Sequence, residues 1–217
     1  MGRWRAQRAD AAYLLVDQVT YLQSQLDTRT IAGGFDVTLK SEAKRTRRVS
    51  DQFDRIEQTF TLVPGHTVAP GSYGWREATI KYEMAAGSRV LGTINSSVGD
   101  FYTGKRRSVG AGVTWQASPS LAFETMHRSN AISLATGDFV ANLAGLRMRA
   151  ACPTTLLGAA FVQFNTQTRS FSTNARPNWR WAPLSDVFLV CTDRRDSESW
   201  AQNERSVALK VTRMLAF

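Results

Sequence analysis

"FYTGKRRSVGAGVTWQASPSLAFE", Phe101 to Glu124, alternates residue by residue. Val109, Ala111, Val113 and Trp115 fall on one side of an extended chain, and Ser108, Gly110, Gly112, Thr114 and Gln116 fall on the other. Period two marks a β-strand, because successive side chains point to opposite faces. The pattern leaves a choice of solvent. In a water-soluble strand the apolar row is covered, whereas in a lipid-facing strand it is the exposed row and the small polar row lines a wet interior.

The same alternation recurs along the chain. Arg76, Ala78, Ile80, Tyr82 and Met84 form one row, and Leu156 to Phe164 is apolar on both faces. Phe171, Thr173, Ala175, Trp179 and Trp181 oppose Ser172, Asn174, Arg176, Asn178 and Arg180. The last row, Val207, Leu209, Val211, Leu215 and Phe217, is broken only by Arg213 and ends on an aromatic suited to an interfacial girdle. Before these strands, residues 1–26 admit two readings. Ala12, Leu15, Val19, Leu22 and Leu26 fit an amphipathic helix, while Tyr13, Leu15 and Val19 fit a strand, the reading favoured here.

Small residues, glycine and proline punctuate the rows at "SEAK" (Ser41 to Lys44), "AAGS" (Ala85 to Ser88), "ASPS" (Ala117 to Ser120), "CPTT" (Cys152 to Thr155) and "APLS" (Ala182 to Ser185). Longer polar stretches, "SNAISLATGD" (Ser129 to Asp138) and "TDRRDSESWAQNE" (Thr192 to Glu204), fall between them and read as loops. Short turns thus alternate with long connections across roughly 11 or 12 strands of about ten residues. A soluble sandwich, a lipocalin-like barrel and an outer-membrane barrel are all hairpin meanders. Loop asymmetry and strand length select the last, so the expected fold is all-β, an antiparallel up-and-down meander in one domain over residues 1–217, facing lipid.

Composition bounds the chemistry. The chain has 217 residues, 43% hydrophobic and 21% charged, which excludes a disordered polypeptide. The net charge of +9 invites a polyanion partner, but the basic residues are scattered apart from Lys44, Arg45, Arg47, Arg48 and the run Lys105 to Arg107. Stacking on nucleic acid needs aromatics beside the cations, and Trp179 and Trp181 lie opposite Arg176 and Arg180, so no nucleic-acid partner is expected. Cys152 and Cys191 stand far apart and the histidines are only His66 and His127, so neither a metal nor a cofactor is expected.

Catalytic arrangements are sparse. Asp51, Asp54 and Glu57 sit among Arg47, Arg48 and Arg55, which favours an ion-paired strand face over an acid–base pair. No G-x-S-x-G elbow is present, His66 lies in a Pro- and Gly-rich loop, and His127 adjoins Arg128. "GKRR" (Gly104 to Arg107) opens no helix and reads equally as a basic rim facing an anionic leaflet or as a solvated turn. The best candidate surface is the row Asn174, Arg176, Asn178 and Arg180 in the lumen, which attracts anionic solutes or, the favoured reading, pairs with acidic neighbours. No catalytic residue is assigned.

From Leu26 onward, "LDTRTIAGGFDVTLKS", "FTLVPGHTVAPGSYGWREATIKYE", "GDFYTGKRRSVGAGVTWQASPSLAFE", "FVQFNTQTRSFSTNARPNWRW" and "LSDVFLVCTD" resemble a family of bacterial outer-membrane barrels of unknown function. Full-length members carry a family-nine-like carbohydrate-binding domain ahead of the barrel. The resemblance implies the C-terminal part of such a barrel, residence in the outer membrane in contact with its lipid, and glycan partners through a domain preceding this chain. A glycan-processing enzyme and a soluble basic barrel that binds a polyanion are the alternatives. Two positions depart from the family pattern: Leu184, where glycine is usual before "SD", and Pro177, which cannot donate to a ladder and implies a bulge or weakened pairing.

Overall fold

The computed structural model describes residues 7–20, 26–152 and 155–213. Among them are fourteen strands and no helix: β1 (Gln7–Thr20), β2 (Leu26–Leu39), β3 (Lys44–Ile56), β4 (Phe60–Val63), β5 (His66–Val68), β6 (Gly71–Glu83), β7 (Val90–Phe101), β8 (Gly104–Ser118), β9 (Leu121–Leu134), β10 (Gly137–Cys152), β11 (Leu156–Asn165), β12 (Ser170–Ala182), β13 (Ser185–Asp196) and β14 (Gln202–Thr212). Twelve of them form one up-and-down antiparallel sheet in chain order, and β4 pairs separately with β5. Among the described residues β1 and β14 each pair on one side only, so the meander is not closed into a barrel. Residues 7–20 are a strand, not a helix. Leu215 and Phe217, the end of the last apolar row, lie outside the described residues.

All five breaker clusters mark strand ends, where small residues and proline end the ladders. The two polar stretches read as loops are mostly strand. β9 runs on to Leu134 and β10 begins at Gly137, while β13 reaches Asp196 before β14 starts at Gln202. Strands are therefore longer than expected, up to 16 residues in β10. The misreading has a physical cause: polar side chains do not interrupt a ladder, whether the opposite row is buried, as Ile132 and Leu134 are in β9, or open, as around β14, and only turn-forming backbone does. Leu184, in the turn before β13, has φ of 53°, a left-handed conformation that glycine adopts without strain. At Pro177 the β12–β13 pairing skips Arg176 and Pro177 and resumes in the same register at Asn178↔Phe188, a weakened pairing rather than a bulge.

The chain divides into two compact units, Met1–Ala111 with Arg128–Ala141, and Gly112–His127 with Asn142–Phe217. In the first unit the strand registers put Thr46, Ser50, Trp75, Glu77 and Thr79 on one face, here called inner, and Val49, Ala78, Ile80 and Val98 on the other. Inner residues Ser50, Trp75 and Ala32 are buried, whereas Val49, Ile80 and Val98 are exposed. Tyr13 pairs with Gly34, and a Cβ at Gly34 would come within 2.3 Å of the tyrosine ring, so only glycine admits that ring over the sheet. The exposed rows turn charged toward one end, at Arg29, Asp51, Arg76, Asp100 and Arg107, and Asp51 pairs there with Arg29 (3.5 Å) and Arg76 (3.1 Å). At the other end Arg45 lies over the Tyr82 ring, 5.8 Å from its centroid.

In the second unit the registers of β10 to β14 place Arg147, Phe161, Asn174 and Thr192 on the inner face and Leu146, Val162, Thr173, Ala175, Cys191 and Val207 on the other. Val207, Leu209 and Val211 are exposed. Trp115 stacks on Phe123, and Trp179 packs beside Trp181. Cys152 and Cys191 are free thiols.

Candidate functional site

Alternation along β12 brings Asn174, Arg176, Asn178 and Arg180 to the inner face of the second unit, opposite Trp179 and Trp181, as the spacing predicts. The row is tied together locally. Asn174 donates through Nδ2 to Thr192 Oγ1 at 2.7 Å, and Arg176 Nε donates to Asn174 Oδ1 at 2.7 Å. Asn178 Nδ2 donates to Asp186 Oδ2 at 3.1 Å. Asp186 stands across the ladder from Arg180, yet among the described residues the two form no ion pair. Internal pairing of the arginines with carboxylates, the favoured expectation, is thus not what holds this row: Arg176 is met by an amide, and it and Arg180 stay exposed to solvent.

Carboxylate pairing occurs further along the same face. Glu124 accepts from Arg147 (3.3 Å) and Arg149 (2.5 Å), and the Arg147 guanidinium lies over the Phe161 ring at 5.2 Å. Phe161 pairs in turn with Asn174. The result is an inner surface where guanidinium groups, set among Leu157, Ala159 and Phe161, exceed carboxylates, suited to attracting anions and, among the described residues, carrying no nucleophile–base geometry.

The remaining candidates disperse. Asp51 and Asp54 lie on opposite faces of β3, Asp51 in the outward ion-pair network and Asp54 accepting from Tyr102 Oη at 2.9 Å, so they cannot share a substrate. His127 is an exposed residue of β9. Among the described residues no three His, Cys, Asp or Glu side chains are grouped to hold a metal.

A second cluster escaped the sequence reading. The segment read as a loop around His66 is the β4–β5 hairpin, turned at Pro64 and Gly65, where Gly65 has φ of 87°. It lies within the first unit, against its large sheet: Phe60 meets Tyr102 edge-on at 5.7 Å, Leu62 packs on Phe101, Ile132 and Leu134, and His66 sits 4.7 Å from the Phe139 ring. Tyr102 also meets Tyr73 and Trp75, at 5.3 and 4.9 Å. Burial, then the hydrogen bond to Asp54, pushes its phenol pKa up to about 12. Beside this cluster Glu77 accepts from Ser97 Oγ (2.7 Å) and Arg106 (3.0 Å), whose guanidinium covers the Phe101 ring at 4.4 Å. The available signal was Pro-Gly flanked by the short alternating runs "FTLV" and "HTV", a turn pair between strand segments.

Comparison with family models, with curated proteins and with solved structures gave no match.

Proposed function

We propose that this chain is a section of outer-membrane β-barrel wall, with hydrocarbon against its apolar rows and a wet lumen against its polar ones. The observation that carries the reading is β8: Val109, Val113 and Trp115 are 54%, 45% and 50% exposed, while Ser108 on the alternate row is 8% exposed. Water makes such an arrangement unfavourable, since apolar area left uncovered forfeits about 25 cal/mol per Å². Lipid reverses the preference.

The outward charged positions of the first unit fit as the edge of that apolar band, because an unpaired cation costs about 2–4 kcal/mol at the bilayer midplane and almost nothing near the interface. Arg176 and Arg180 give the lumen a preference for anions. With the resemblance, the reading extends to anchoring a carbohydrate-binding domain, and it assigns no catalysis to this chain. The test is reconstitution of the full chain into phosphatidylcholine vesicles with brominated acyl chains. Strong quenching of tryptophan fluorescence relative to unbrominated vesicles is expected. Recovery as a detergent-free soluble monomer whose tryptophans ignore bromine overturns the proposal.

A further inference from the structure

On the exposed face of the first unit a groove opens beside the start of β8. Lys105 and Arg107 line it together with Ser133 and Asp138, and Ala131 and Val140 give it an apolar part. Its volume is about 470 Å³, within the roughly 300–1,000 Å³ typical of small-ligand sites. Neither cation is ion-paired among the described residues, whereas Arg29 and Arg76 on the same face are both neutralised by Asp51. Asp138 is engaged by Ser133 Oγ. That hydrogen bond leaves Asp138 charged, so two cations face one carboxylate and the groove is net positive, and the exposed row of β8 continues from the cations into Val109 and Ala111. At about 3.3 Å per residue, Arg107 lies roughly 7 Å along the strand from Val109.

Cations at the head of an apolar row match an anionic amphiphile, so we infer that this groove holds the phosphate headgroup of an anionic membrane lipid, with its acyl chains along Val109 and Ala111. The inference rests on the wall reading, from which hydrocarbon at those two residues follows. A free anion would satisfy the cations alone and leave the apolar row uncovered.

The test uses the full chain in phosphatidylcholine vesicles with and without phosphatidylglycerol, the brominated chains placed on one lipid or the other. Brominated phosphatidylglycerol should be enriched around the protein, by about fivefold on the basis of roughly 1 kcal/mol for the groove's one net positive charge. Lys105→Gln with Arg107→Gln should abolish the enrichment. Arg45→Gln with Arg47→Gln, which removes the same charge from the exposed face of β3, should leave it in place. Quenching by brominated phosphatidylcholine without preference for the anionic lipid overturns the groove and leaves the wall reading standing. Equal loss in both double variants assigns the preference to diffuse charge and overturns the groove too, as does displacement of the lipid by inorganic phosphate. Absence of quenching by either lipid overturns the wall reading and this inference together.

Discussion

Trp75, on the inner face of β6, is 8% exposed and packs against the rings of Phe101 and Tyr102. Arg176, on the inner face of β12, touches one asparagine and remains open to solvent. Both positions arise from the same strand alternation, so the difference lies in what covers the face. In the first unit the connection between β3 and β6 folds back as the β4–β5 hairpin, burying Val68 to 3% exposure. In the second unit the connections between strands are short turns, and the inner face carries half-buried polar groups. A meander can thus hold a dry core and a wet surface on one sheet, the insertion of a single hairpin deciding which.

The contrast can be broken most forcefully at Trp75. Trp75→Ala should cost about 3–5 kcal/mol, whereas Phe161→Ala in the second unit, only half-buried, should cost about 1–2 kcal/mol. Urea unfolding in detergent followed by far-ultraviolet circular dichroism measures both, and equal losses would mean that the two inner faces are packed alike. Next come the carboxylates. Glu77→Gln strands the largely buried Arg106 and should cost about 2 kcal/mol. Glu124→Gln faces half-exposed arginines and should cost under about 1 kcal/mol.

Leu184→Gly should stabilise by about 1 kcal/mol, since it removes the left-handed strain in the turn before β13. A loss at that position would show that Leu184 is held by its side chain. The Tyr102 phenol supplies a pH test of the covered face. Its folded pKa lies above the ordinary value of 10, so its contribution to stability is complete below pH 10 and is lost as pH rises toward about 12. Absorbance at 295 nm should therefore find one tyrosine ionising late, and Asp54→Asn should bring it earlier. The smallest effect on folding belongs to Arg176→Ala, within about 0.5 kcal/mol. Its expected signature is a reduced anion preference in planar bilayers.

The strands were legible wherever alternation and turn residues coincided, as at "ASPS" before β9 and "APLS" before β13. The face of each side chain on β8 and β12 was legible as well, because parity alone sets it. What was hidden was where polar strands end, since Ser129, Asn130 and Ser133 make the end of β9 read as a loop although Ile132 and Leu134 between them are buried. The hairpin at His66 was hidden for another reason: strands of four and three residues are too short for periodicity to rise above a loop reading. The partners of the β12 arginines depend on side chains of other strands, which spacing along one strand does not reveal.

The free thiols of Cys152 and Cys191 sit at different heights on the outward rows of β10 and β13, one beside a turn and one within its strand. On the wall reading the two thiols therefore form a native two-mark depth gauge. An impermeant maleimide would label the first thiol fast and the second slowly in a bilayer, and removal of the lipid would level the two rates.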